Sequence, residues 1–245
     1  MVPTVATTRI ALQQVAVHVL ARRRHDVTRR FGLRPSAGGV ATPAFVVGDD
    51  VEVVRTSGRF LVVERGGAMT AAPMTTLAAA AELVGVDLEA EFSVGSDTPA
   101  PRHPAAALDI DDGAARTLGE WWAFGREVID EAIAGAIATG GSAPAATVAQ
   151  LWPEHFDLGA TLELGAEHVN VGASPGDVFS DEPYLYVGPW SAARPGDPAY
   201  WNAPFGAALT SSALAAASAD ASDPARAAAR RTAAVEFLTT GLSRF

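Results

Sequence analysis

Between residues 157 and 164 apolar and polar side chains alternate: Leu158, Ala160, Leu162 and Leu164 against Asp157, Gly159, Thr161 and Glu163. Successive side chains of a strand point to opposite faces, so this alternation predicts a β-strand with one buried face. Gly165 and Ala166 supply a two-residue loop with glycine first, as a type II′ hairpin turn requires, and Glu167 to Val171 forms the return strand. Pairing 164 with 167 sets Leu162 opposite Val169 and Ala160 opposite Val171, while Glu163 faces His168 and Thr161 faces Asn170 on the other surface. A third strand, Tyr184 to Val187, puts its two tyrosines on one face and Leu185 and Val187 on the other.

Elsewhere the period changes. Ile10, Leu12, Val15, Val17, Val19 and Leu20 predict a largely buried helix from Thr8 to about Arg24, followed by a Gly- and Pro-punctuated connection from Phe31 to Ala41. Val51 to Thr56 and Arg59 to Glu64 read as a hairpin turning at Ser57-Gly58, and Leu77 to Val84 as a short helix that stops at Gly85. Asp109 to Asp112 offers N-caps for the longest helix, which runs to about Ala138 and meets a stop at Gly140-Gly141. Leu118, Trp122, Gly125, Ile129, Ala132, Ile133 and Ala136 form its buried stripe, and Gly125 predicts close contact with another element. A strand near Phe205 to Thr210 precedes a last helix, opened by Ser222-Asp223-Pro224, ending at about Thr240 and stopped by Gly241. The expected class is α+β: a mainly antiparallel sheet of hairpins packed against one long central helix, with helices at both ends of the chain. The expected organisation is one integrated domain over 1–245, with hairpin-rich halves of about 1–105 and 145–245 joined by a helix at about 110–138.

Composition narrows the chemistry. The 245 residues are 49% hydrophobic, enough for a substantial core, yet no apolar run reaches the length of a membrane span. The opening MVPTVATTRI lacks the pattern of a signal peptide, so a cytoplasmic protein with no membrane partner is expected. There is no cysteine, which excludes disulfides, thiolate metal sites and cysteine nucleophiles. All 18 basic residues are arginine, which excludes lysine Schiff bases, pyridoxal phosphate attachment and Walker-A phosphate binding. A net charge of -10 opposes nucleic acid as a partner. The patch from Arg22 to Arg30 is locally basic, and its expected role is to close a helix C-terminus and pair with acidic surface.

The polar face of the predicted hairpin collects the candidate chemistry. His155 and Asp157 could act as acid and base or contribute to a metal site, though no second ligand pair accompanies them and no metal or cofactor is expected. Asn170 and Ser174 share the strand face, and Tyr184, Tyr186 and Trp190 could wall a pocket. Gly172-Ala173-Ser174-Pro175-Gly176 matches the G-x-S-x-G pattern of a nucleophile elbow. Such an elbow needs a helix straight after the serine, whereas Pro175-Gly176 predicts a turn. Three functions are compatible with these residues: small-molecule binding, a hydrolase-like activity through His155 and Asp157, and a partner-binding protein whose polar face is merely solvated.

Trp152 with Phe156-Asp157-Leu158, Gly172 with Pro175-Gly176, Glu182-Pro183 with Tyr186, and Asp223-Pro224 resemble the Trp-x-x-x-Phe-Asp-Leu strand, Gly-x-x-Pro-Gly turn, Glu-Pro-x-x-Tyr strand and Asp-Pro helix start of a bacterial family of unknown function, chiefly actinobacterial and proteobacterial. The likeness is best over 150 to 190 and 223 to 240. It implies one integrated domain and no particular reaction, and His155 and Ser174 have no counterpart in its pattern.

Overall fold

The computed structural model describes residues 4–139, 145–217 and 223–245, so Gly140-Gly141 and the Ser222 cap lie outside the described residues. The chain divides into two compact units, Met1–Ala123 with Gln150–Asp157 and Phe124–Ala149 with Leu158–Phe245. Both are built from helices and antiparallel strands, as the α+β class requires.

The first unit opens with α1 (Val5–Val15), a π-helical segment (Ala16–Ala21) and α2 (Arg22–Thr28). Thr4 caps the start through its hydroxyl, which accepts from Thr7 N at 3.2 Å. Arg29 ends it in the left-handed conformation, φ 60°, with its N–H bonded to His25 O. Six strands follow: β1 (Arg34–Ser36), β2 (Gly39–Ala41), β3 (Phe45–Val47), β4 (Asp50–Ser57), β5 (Phe60–Arg65) and β6 (Ala68–Pro73). They pair in the order β1-β2-β4-β5-β6, with β3 also on β4. The stretch from Phe31 to Ala41 is therefore a hairpin rather than a plain connection, and the β4–β5 turn is Gly58-Arg59, one residue later than Ser57-Gly58. Gly58 takes φ 58°, which sets where that turn sits. Helix α3 (Leu77–Val84) ends at Gly85 with φ 70°, as expected. The unit also holds β7 (Gln150–Trp152), whose Leu151 bridges Leu33.

The arginine patch is absorbed by this unit. Arg22 Nε donates to Asp26 at 2.8 Å and its Nη1 to Ala90 O at 2.9 Å, Arg23 pairs with Glu52, and Arg24 donates to Gly32 O. Gln14 of α1 and His18 of the π segment reach the irregular 85–111 stretch: Gln14 Oε1 accepts from Arg102 N at 2.7 Å, and His18 Nε2 lies 3.0 Å from Pro99 O. A carbonyl only accepts, so Nε2 carries a proton in this contact. Burial pushes the His18 pKa down, the Pro99 carbonyl pulls it partly back, and nearby Arg22 lowers it further. Above the ordinary value of about 6.5 the ring is neutral folded or unfolded, whereas below it the unfolded chain takes up a proton that the fold resists. Melting temperature is therefore expected to fall as pH drops below about 6.5. His18→Gln, which keeps a neutral donor, should flatten that slope, and parallel slopes in thermal melts of the two proteins would remove His18 as the cause.

Helix α4 (Asp112–Thr139) contributes its first half to the first unit and its second half to the other. Each half carries a glycine where a neighbour comes close. A Cβ on Gly119 would lie 2.9 Å from Gly39 N, and one on Gly125 would lie 2.4 Å from the Ala173 Cβ, the contact its place in the stripe predicts.

The second unit contains a meander of β8 (Asp157–Leu164, its first residue belonging to the other unit), β9 (Glu167–Ser174), β10 (Tyr184–Pro189) and β11 (Ala207–Thr210). The β8–β9 register is Leu164↔Glu167, Glu163↔His168, Leu162↔Val169, Thr161↔Asn170 and Ala160↔Val171, as the alternation predicts. Gly165 has φ 64° and Ala166 does not have positive φ, in keeping with a type II′ turn. Helix α5 (Ser211–Ala217) follows, then α6 (Asp223–Leu242). Gly241 does not stop α6 but sits inside it, because a Cβ there would meet the Tyr200 hydroxyl at 2.3 Å and Val187 at 2.9 Å. Tyr200 itself donates to Phe237 O at 2.8 Å.

Candidate functional site

In the second unit Thr161, Glu163, His168 and Asn170 share one face of β8 and β9, and Trp190, just beyond β10, folds over it. Three contacts fix the indole. Its backbone N–H bonds to His168 O at 2.9 Å, its ring stacks on the His168 imidazole with centroids 4.9 Å apart and planes 24° apart, and its Nε1–H donates to Asn170 Oδ1 at 2.9 Å. Indole nitrogen is only a donor, so the Asn170 amide must turn its oxygen toward the tryptophan. The Thr161 hydroxyl donates to the same oxygen at 2.8 Å. That leaves the Asn170 Nδ2 donors with no protein partner among the described residues. Trp190 is nevertheless 66% exposed: one ring face lies on His168 and the other faces outward. His168 Nε2 stands 3.7 Å from Glu163 Oε1, which keeps a carboxylate at the edge of the same surface.

The other candidates in this unit organise the neighbouring loop. Tyr184 is buried and its hydroxyl donates to Asp177 Oδ2 at 2.6 Å. Ser174, also buried, lies 3.5 Å from the same carboxylate oxygen, and its own oxygen accepts from Gly176 N at 3.2 Å. Phe179 N donates to the second Asp177 oxygen at 2.8 Å. Gly176 takes the positive φ, 96°, that Pro175-Gly176 predicts, and the residues after Ser174 run as a bend and irregular loop, not as the helix of a nucleophile elbow. Tyr186 is half-buried, its ring lying over Gly172, where a Cβ would come within 2.3 Å of it.

His155 and Asp157 belong to the first unit. His155 is exposed, with Nε2 3.9 Å from Asp97 Oδ2, and Asp157 is buried at the start of β8. Between them Phe156 adopts φ 58° with its ring buried. Burial pushes the Glu154 carboxyl above its ordinary pKa. Among the described residues no group of three or more His, Asp or Glu is placed to hold a metal ion. No described helix is long and apolar enough to cross a membrane.

The first unit also contains a concavity that inspection of the sequence missed. It is a groove of about 920 Å³ between the β1–β2 turn, the β4–β5 turn and the first half of α4. Arg34, Ser36, Phe60, Asp112, Arg116 and Glu120 are among its lining residues. Asp112 is engaged, accepting from Arg59 N at 2.8 Å, whereas Arg116 and Glu120 have no ion pair among the described residues. Recognising it from sequence required knowing that 34–41 forms a hairpin, and three-residue strands carry too few alternations to show one. Compared with protein-family models, with curated proteins and with solved structures, the chain matches none of them.

Proposed function

We propose that this is a small-molecule-binding protein whose ligand lies on the Trp190–Asn170 face of the second unit. The observation that carries the reading is a fixed, outward-facing indole beside an amide whose donors lack a protein partner among the described residues. Holding a large aromatic side chain still in water costs rotamer entropy and leaves apolar surface wet, costs that a ligand offsets when it covers the ring. The pre-set geometry spares the ligand that ordering cost when it binds. Ser174, Tyr184 and Tyr186 serve this face indirectly, by holding the adjoining strand and loop.

The test is a thermal-shift screen of metabolites on the wild type and Trp190→Ala. A ligand at about 100 times its dissociation constant adds roughly 2.7 kcal/mol of stability. The variant should melt like the wild type, because the ring is mostly exposed, and lose that response. A response that persists in Trp190→Ala would remove the face from the site. A second reading places the ligand in the first unit's groove, favoured by Arg116 and Glu120, which have no ion pair among the described residues. Arg116→Ala would then lose the response while Trp190→Ala kept it.

A further inference from the structure

We infer that the ligand of the Trp190 face is a neutral saccharide, stacked through the C–H face of a pyranose ring on the open side of the indole. This inference rests on the proposed site and specifies its ligand class.

Four features of the face select this chemistry. First, the surface is an exposed sheet face: Trp190 is 66% exposed and the side chains of His168 and Glu163 are 44% and 59% exposed. Apolar small ligands need concavity that buries most of their surface, whereas a sugar offers one apolar C–H face to an aromatic plane and can keep its hydroxyl edge wet. Second, His168 covers one side of the indole, which leaves a single platform and no slot for a sandwiched planar ring. Third, the polar groups around the platform are complementary to hydroxyls, each of which both donates and accepts. Asn170 Nδ2 donates, the Glu163 carboxylate accepts, and the orientation of Asn170 is set by the donor-only indole on one side and Thr161 on the other. Fourth, Thr161, Glu163, His168, Asn170 and Trp190 include one carboxylate, that of Glu163, and no guanidinium, while the nearby Arg194 Nη1 donates to Ser191 O at 3.0 Å and Ala193 O at 2.7 Å. A phosphate or carboxylate ligand on these five residues would meet the like charge of Glu163 with no guanidinium among them to offset it.

The experiment follows the tryptophan indole N–H resonances of ¹⁵N-labelled protein. The chain has five tryptophans, and Trp190→Phe identifies the resonance of interest by its loss. Methyl hexopyranosides and N-acetylglucosamine, each titrated into the millimolar range, should shift that resonance saturably. Asn170→Ala should weaken the response about tenfold, the worth of one hydrogen bond. In saturation-transfer measurements on unlabelled Trp190→Ala, signal on the sugar ring protons should vanish while the melting temperature stays near that of the wild type. Adenosine, a planar aromatic probe, separates the two levels of the proposal. A Trp190 response to adenosine and to no saccharide would overturn the sugar assignment and leave the binding face standing. No Trp190 response to either probe would overturn the sugar assignment, and a metabolite screen that is also negative would take the binding face with it. Saccharide saturation transfer that survives Trp190→Ala would place the sugar elsewhere and overturn the inference.

Discussion

Glu52→Ala is expected to destabilise the first unit by about 2–4 kcal/mol, toward the lower end of the buried-pair range, because it leaves a largely enclosed guanidinium without its carboxylate. Glu52 points inward from β4 with its side chain 3% exposed, and Arg23 from α2 meets it in a two-pronged pair, Nε to Oε1 at 2.7 Å and Nη2 to Oε2 at 3.0 Å. Arg65 adds a longer contact at 3.8 Å from a more exposed position. Removing the carboxylate leaves Arg65 able to turn to water and Arg23, at 17% exposure, poorly able to do so. The Glu52 hydrogen bond, the largest influence on it, holds the Arg23 pKa above its ordinary value. Glu52→Gln keeps the acceptor oxygen and should cost less. The joint change Arg23→Met with Glu52→Leu removes both charges and should recover most of the loss, since an apolar pair of similar volume often replaces a buried ion pair at little cost. Urea unfolding of the four proteins checks this. A Glu52→Ala loss below about 1 kcal/mol, the range of a surface pair, would mean that Arg23 finds water or another partner.

The β8–β9 register is legible in the sequence, because the period-two pattern and the turn glycine independently demand it, although β9 runs on to Ser174, past the expected end at Val171. The same register predicted that Glu163 faces His168 and Thr161 faces Asn170, which is half of the candidate face. What alternation could not show is the use of Trp190. Its placement depends on a backbone bond to His168 and a side-chain bond to Asn170, residues 20 or more positions away in the chain. Elements without a repeating pattern were lost for a related reason. β6 reads Ala-Met-Thr-Ala-Ala-Pro and has neither alternation nor β-branched weight, so only its pairing with β5 makes it a strand. The π segment consists of ordinary helix-compatible residues, and its wider turn leaves no mark in their pattern. Gly241 shows the converse failure: a glycine near a predicted helix end reads as a stop, yet here it admits the Tyr200 hydroxyl and the helix continues.

Trp122→Ala should cost the first unit about 3–5 kcal/mol, the range for deleting a large buried aromatic. Trp122 lies in the first half of α4 and is fully buried, packed edge-on against Phe156 with ring centroids 4.8 Å apart and planes at 76°. Phe156 occupies the left-handed region at φ 58°, a conformation that costs a bulky residue on the order of 1–3 kcal/mol and that the aromatic contact helps to offset. The indole carries a cost of its own, since its buried Nε1–H has no hydrogen-bond partner among the described residues. These opposing terms make the substituent matter. Trp122→Phe loses volume but also removes the unsatisfied donor, so it should be much milder than Trp122→Ala. Phe156→Gly relaxes the backbone while losing the ring, so it should cost about 1 kcal/mol less than Phe156→Ala. If the two rings support each other, the double change Trp122→Ala with Phe156→Ala will cost less than the sum of the singles by about 0.5–1.5 kcal/mol. Denaturant unfolding of the five variants measures each term. Strict additivity would show that the rings are buried side by side without coupling, and Phe156→Gly less stable than Phe156→Ala would show that the left-handed backbone carries no strain for a glycine to relieve.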